Sequence, residues 1–247
     1  MEGIQAARRA KPTGIVATDG DGTLWSGDVG DDVFHAMLDR GELRAAAVET
    51  IANVASQHGV SASGEGKAVL QRVYEAYRSG AFDERSMYEL MAIAFGGWTR
   101  DEVRTFVCDV LEREGLARRI HAELAHLVAW FKAEGLRVVL VSASPRYVVE
   151  EAAAFAGIDR RDVVAVTPHW KDDVMLTDVE RPIPYADGKV SGLRRHAGDA
   201  PLIAAFGDNA FDFAMLAESA VPIAIRPKQR LLDRAADLPR LVRLAEE

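Results

Sequence analysis

Residues 15–18, Ile-Val-Ala-Thr, form a short apolar run that ends in Asp19-Gly20-Asp21-Gly22-Thr23. Two residues apart at the end of a strand, Asp19 and Asp21 share one face. Carboxylates that close repel unless a divalent cation sits between them or one holds a proton. Gly20 and Gly22 let the backbone turn tightly and approach a ligand. Three other stretches carry reactive groups in a similar setting. Ser142-Ala143-Ser144-Pro145 follows the apolar residues 138–141. Gly207-Asp208-Asn209-Ala210-Phe211-Asp212 follows residues 202–206, and Lys189 follows Asp187-Gly188. Ser142, with the free amides of a helix start, suits an anion. Taken singly, these residues have ordinary explanations, because Asp and Ser cap helices and a lone Lys is usually solvated.

What makes the set informative is where the elements put it. Residues 15–18, 137–141, 163–166, 202–206 and 221–225 read as strands. Helical patterns over 119–134, 146–156, 189–197 and 210–217 alternate with the last four, and a further helical segment starts near residue 228. That alternation predicts crossover units and a mainly parallel, Rossmann-like α/β sheet. Ligands bind at the carboxyl ends of such strands, where the acids, the hydroxyl and the cation all fall.

Between about 26 and 135 there is no strand signal. Helices are expected over 28–40, 43–58, 65–78, 83–95 and 100–114, the last opened by a Thr99…Glu102 capping-box spacing. The sequence therefore divides into a core of residues 1–26 and 118–247 and an inserted all-helical cap of residues 27–117. Residues 168–187 read as irregular. Residues 59–67 contain Gly and Lys but lack the direct Gly-Lys-Ser/Thr ending of a phosphate loop.

Composition sets outer bounds. The 247 residues are 49% hydrophobic and 28% charged, with net charge −8 and a single cysteine. The acidic balance argues against a nucleic-acid groove. No apolar run approaches the roughly 20 residues of a membrane span. One cysteine excludes an internal disulfide framework, so a soluble, cytoplasmic protein is expected. Residues 1–12 read as a frayed tail without a secretory core, and Cys108 as a small buried hydrophobe. The six histidines show no ligand spacing with a partner acid and read as structural.

Asp19-Gly-Asp21-Gly-Thr23, Ser142, Lys189 and Gly207-Asp208…Asp212, in that order, resemble the motifs of haloacid dehalogenase superfamily phosphatases along the whole chain. The helical insert after the first motif is similar to the cap of the phosphoserine phosphatase-like branch. The resemblance implies that Asp19 attacks phosphorus to give an aspartyl-phosphate and that Asp21 moves the proton. It implies Mg²⁺ on the Asp19 carboxylate, the Asp21 carbonyl and Asp208, with Asp212 holding the metal's waters or orienting Lys189. Ser142, the Ala143 amide and Lys189 would stabilise the phosphoryl oxygens, with Gly22 and Thr23 in the same phosphate-binding turn. Halide-removing relatives lack the second acid, so Asp21 points to a phosphatase.

The expected partner is a small phosphorylated metabolite; oligomeric state is not legible. Asp28 sits where the branch places an acid for a substrate amine. The cap position of its carboxylate-clamping Arg falls at Glu89, with Arg85 one turn away. Glu89 would repel a carboxylate and, beside the aromatic faces of Trp25 or Tyr88, favour an amine or quaternary ammonium. Phosphoserine-like and phosphocholine- or phosphoethanolamine-type substrates are thus both expected classes. A phosphomutase, passing the phosphoryl group to a second sugar phosphate, and a non-catalytic binding protein are the rival readings.

Overall fold

The computed structural model describes residues 2–244. After α1 (Glu2–Ala10) and β1 (Ile15–Thr18), five helices follow: α2 (Val29–Arg40), α3 (Ala45–Gln57), α4 (Gly66–Arg78), α5 (Glu84–Ile93) and α6 (Arg100–Arg113). Alternation then sets in with α7 (Ala122–Ala133), β2 (Arg137–Pro145), α8 (Arg146–Phe155), β3 (Val163–Val166), β4 (Pro168–Lys171), β5 (Val174–Val179) and α9 (Asp187–Ala197). The chain continues through β6 (Leu202–Gly207), α10 (Phe213–Glu218), β7 (Val221–Ile225), α11 (Gln229–Leu232) and β8 (Val242–Leu244).

Six strands form one parallel sheet in the order β3-β2-β1-β6-β7-β8. The apolar run at 15–18 is its middle, paired on both sides, and Val16 and Ala17 are fully buried. Thr18 aligns with Leu140 in β2 and Phe206 in β6. Asp19 therefore emerges between the Ser142 and Asp208 turns, as the parallel register of β1 with both neighbours requires. This is the Rossmann-like α/β architecture that the strand–helix alternation predicts.

The inserted segment is helical throughout, and the Thr99–Glu102 capping box starts α6 as its spacing predicts. Its helices pack two ways. α2 and α6 lie against α8, so Val33, Met37, Phe106 and Val110 join the same apolar cluster as β2. α3, α4 and α5 gather around Ile51, Leu70, Met87 and Leu90, and Val166 and Val179 of β3 and β5 complete that second cluster.

Three expectations need correction. Residues 168–187 are not simply irregular, because β4 and β5 form an antiparallel hairpin whose Val174 pairs with Thr99. The N-terminal arm is a helix rather than a frayed tail: Ile4 is buried, and Arg8 pairs with Glu134. Cys108 is exposed, because Val103, Phe106, Val107, Val110 and Leu111 occupy the inner face of α6. The helical segment expected near residue 228 is present as α11, and a 3-10 turn at Ala235–Asp237 leads from it to the edge strand β8. Among the described residues no helix is long and apolar enough to cross a membrane.

Candidate active site

The carboxyl ends of β1, β2 and β6 and the first turn of α9 converge on one cavity of about 70 Å³, small enough for a phosphoryl-sized group. Asp19, Asp21, Ser142, Ala143, Lys189, Asp208 and Asp212 all line it, together with Asp28 and Tyr88 from the helical insert. Residues from six separate stretches of sequence thus share one small volume.

Lys189 is the hub. Its ammonium donates to Asp19 Oδ1 at 2.5 Å, to Asp212 Oδ1 at 2.6 Å and to the Val141 carbonyl at 3.2 Å, which uses all its donors. Burial opposes its charge, but Asp19 and Asp212 outweigh that and raise its pKa. Burial and then the nearby Asp212 push the Asp19 carboxyl well above the usual carboxylate range, against the pull of Lys189. Thr23 donates its hydroxyl to Asp19 Oδ2 at 3.1 Å. Asp212 is fixed on its other side too, since Oδ2 accepts the amides of Asp208 at 3.1 Å and Asn209 at 3.0 Å.

Asp21 occupies a separate cradle. Its Oδ1 accepts from Trp25 Nε1 and from the Val29 amide, each at 2.8 Å, and its Oδ2 accepts from the Ser144 hydroxyl at 2.8 Å. Gly30 makes that last contact possible, because a Cβ there would stand 2.7 Å from Ser144 Oγ. The two opening acids are therefore held by different groups, one by a cation and one by neutral donors. Ser142 Oγ accepts the Ser144 amide at 3.0 Å, bending β2 as it enters α8.

One carboxylate oxygen from each of Asp19, Asp208 and Asp212 lies within 4.8 Å of the others, and all three residues are buried. Oxygen donors at this spacing suit a hard divalent cation such as Mg²⁺. Gly22 serves the same cluster: at φ 81° it passes so close to the Asp208 carboxylate that a Cβ would collide with it. The residues present therefore fit a cation, with Asp19 and Asp208 the freer donors and Asp212 already committed to Lys189 and the two amides.

Other sequence-selected residues fall differently. Gly22 and Thr23 support Asp208 and Asp19 from behind and do not line the cavity. Asp28 does line it, and caps α2 by accepting the Asp31 amide at 2.9 Å. Burial and the charge of Asp21 raise its pKa well above the ordinary value. Glu89 is not at the cavity. It is paired with Arg181 at 2.7 Å and lines a different groove, beside Thr50 and Thr177. One helical step turns it about 100° from Tyr88. Trp25 is fully buried with its N–H on Asp21, so it offers no substrate face. Arg85 is exposed and lies over the Tyr185 ring at 5.8 Å.

Sequence reasoning missed Ser144, Asn209, Phe211 and Lys228, which also line the cavity. Position in a strand-end turn was the available signal for Ser144, Asn209 and Phe211. Lys228, three residues beyond β7, carried the same signal one strand farther out.

The sequence model of the haloacid dehalogenase-like hydrolases matches residues 16–217. No curated protein matches the sequence. Among solved structures, a protein of unknown function from Bordetella pertussis Tohama I superposes with TM-score 0.71 at 18% identity, covering 92% of this chain and 97% of its own. A HAD family hydrolase, t0658 of Salmonella enterica serovar Typhi, gives 0.60 at 16% identity, covering 93% and 67%. A substrate-bound phosphoserine phosphatase gives 0.54 at 16% identity, covering 93% and 92%. At these identities the structural likenesses speak for the fold alone. The family match spans both acidic turns and every strand end between them, and by it the chain belongs to the haloacid dehalogenase-like hydrolases.

Proposed function

We propose that this hydrolase is an Mg²⁺-dependent phosphatase that cleaves a small phosphomonoester through an aspartyl-phosphate on Asp19. The observation that carries the reading is the convergence of Asp19, Lys189 and the Asp208–Asp212 turn in one buried cluster. The solved neighbours include a phospho-aspartyl intermediate analogue of phosphoserine phosphatase, of the same fold at 16% identity. A divalent cation held by Asp19 and Asp208 would offset the repulsion between carboxylate and phosphate.

An Asp19 oxygen attacks phosphorus, and the bond from phosphorus to the leaving oxygen breaks. Asp21, protonated for this step, gives its proton to that oxygen. Water then attacks the phosphorus, Asp21 takes the water's proton, and the bond to Asp19 breaks to release inorganic phosphate. Asp212 keeps Lys189 beside Asp19, and Lys189 neutralises charge next to the nucleophile. Ser142 and the Ala143 amide line the phosphoryl side. The helices of residues 29–113 act as the cap, with Asp28 and Tyr88 its contribution to the cavity. The single cysteine suits a reducing, cytoplasmic setting.

A cationic leaving group is favoured over phosphoserine by the chemistry of the remaining wall. That wall is Asp28, Tyr88 and Phe211, with Tyr185 stacked between the two rings at 5.5 and 4.8 Å. Among the described residues the lining cations are Lys189 and Lys228, each already paired with a carboxylate, so a substrate carboxylate finds no free partner. An ammonium would meet a carboxylate and aromatic faces.

The test is a phosphate-release screen of small phosphomonoesters with Mg²⁺ and with chelator, using Asp19→Asn as control. Mg²⁺-dependent release should fall by at least about 10³-fold in the variant. Release that survives in Asp19→Asn, with deamidation excluded by mass spectrometry, overturns the mechanism. Phosphoethanolamine or phosphocholine should outpace phosphoserine.

A further inference from the structure

The mechanism leaves one cation of the cavity without a task. Lys228 Nζ lies 2.7 Å from Asp208 Oδ2, and its main-chain amide donates to the Asp208 carbonyl at 2.8 Å. The same side of Asp208 is closed by Gly22, whose missing Cβ leaves room for the carboxylate and for nothing larger. Asp208 is nearly inaccessible at 4% side-chain exposure, whereas Lys228 is 58% exposed and reaches in from the turn after β7. A rim lysine that bonds one buried residue by both side chain and backbone is more than a solvated charge. It fixes the carboxylate's orientation and leaves Oδ1 as the oxygen available to the cluster.

Charge gives this contact a second consequence. Asp19, Asp208 and Asp212 carry three formal negative charges, and Lys189 and Lys228 return two, so the cluster keeps a net charge of one negative. Lys189 is enclosed by Asp19, Asp212 and the Val141 carbonyl and cannot be withdrawn without breaking the site. Lys228 is the adjustable member, because its exposed stem can swing to solvent.

We propose that Lys228 is a positioning residue for Asp208 that also sets the affinity of the carboxylate cluster for a divalent cation, by competing with that cation for the same negative charge. The inference rests on reading the cluster as a cation site. Removing the ammonium while keeping the aliphatic stem makes the cluster more negative and therefore a stronger cation binder.

Calorimetric titration of Mg²⁺ into the wild type, Lys228→Met and Lys228→Arg tests this without any turnover. The Mg²⁺ Kd should tighten about fivefold in Lys228→Met, as loss of a neighbouring like charge requires, and stay within about twofold of wild type in Lys228→Arg. Lys228→Gln replaces the Met variant if circular dichroism shows that Met perturbs the fold. Unchanged or weakened binding on loss of the charge, with wild-type binding intact, overturns the role of Lys228 and leaves the cation site standing. A wild type that takes up no Mg²⁺ overturns both.

Discussion

At the scale of single residues, the two opening acids are distinguished by what holds them. Asp19 is bound by a charged donor and sits in a carboxylate cluster, while Asp21 is gripped by an indole, a main-chain amide and a hydroxyl. Asp21 can serve as proton carrier only if its carboxyl is aimed at the leaving oxygen, and among the described residues Ser144 is its one hydroxyl contact. Ser144→Ala should therefore lower kcat about tenfold with little change in KM, since a well-placed acid contributes 10²–10⁴-fold and its misalignment forfeits part of that. Steady-state kinetics on any hydrolysed phosphomonoester checks this; a KM effect alone would assign Ser144 to substrate binding. Glu89 shows the opposite case. Its acidic type fits a cationic ligand, but helix phase gives it to Arg181 and gives the cavity to Tyr88.

At the scale of elements, local sequence rules govern helix ends with little outside help. Asp28, Asp83 and Thr99 each cap the helix that follows them. The cap at α6 also titrates. Hydrogen bonds from the Thr99 amide, the Arg44 guanidinium and the Thr99 hydroxyl pull the Glu102 carboxyl from 4.5 down to about 2. An acid whose folded pKa lies below its unfolded value stabilises fully above the unfolded value and loses that contribution as pH falls to the folded one. The thermal stability advantage of wild type over Glu102→Gln should accordingly hold above pH 4.5, shrink below it and vanish near about pH 2. Melting curves of both proteins across that range measure it; a gap independent of pH would mean that the carboxylate's charge contributes nothing there.

At the scale of the whole molecule, the insert and the core are joined directly above the cavity. Tyr185, in the loop before α9, donates its hydroxyl to Glu84 Oε2 at the start of α5 at 2.6 Å, and Arg230 of α11 approaches the same carboxylate at 4.0 Å. The loop that leads to Lys189 is thus tied to the helix that carries Tyr88. A hydrogen bond to a charged partner contributes about 1.5–3 kcal/mol. Tyr185→Phe keeps the ring stack and removes that tie, so KM should rise about three- to tenfold through a more open mouth. Hydrogen exchange of the α5 amides should quicken in the same variant; unchanged exchange with unchanged KM would show that apolar packing alone holds the mouth closed.

Much of this molecule was legible in its sequence, for identifiable reasons. A parallel sheet buries its strands on both faces, so they appear as continuous apolar runs, and the rule that ligands sit at carboxyl ends turns a strand list into a site list. Asp19, Asp21, Ser142, Asp208 and Asp212 were found that way, Lys189 was found at a helix start, and all six share one cavity. The hairpin at 168–179 and the edge strand β8 were not, because short strands that are half or wholly exposed lack that apolar signature. Nor were the partners of the acids. Ser144 and Lys228 matter through distances of 2.8 and 2.7 Å to carboxylates 123 and 20 positions away. Sequence determined which strand ends carry reactive groups, because local pattern fixes strands, turns and caps. Only the tertiary structure decided which carboxylate each lysine neutralises and which side of α5 looks into the cavity, because those depend on the register of the sheet and the seating of the insert upon it.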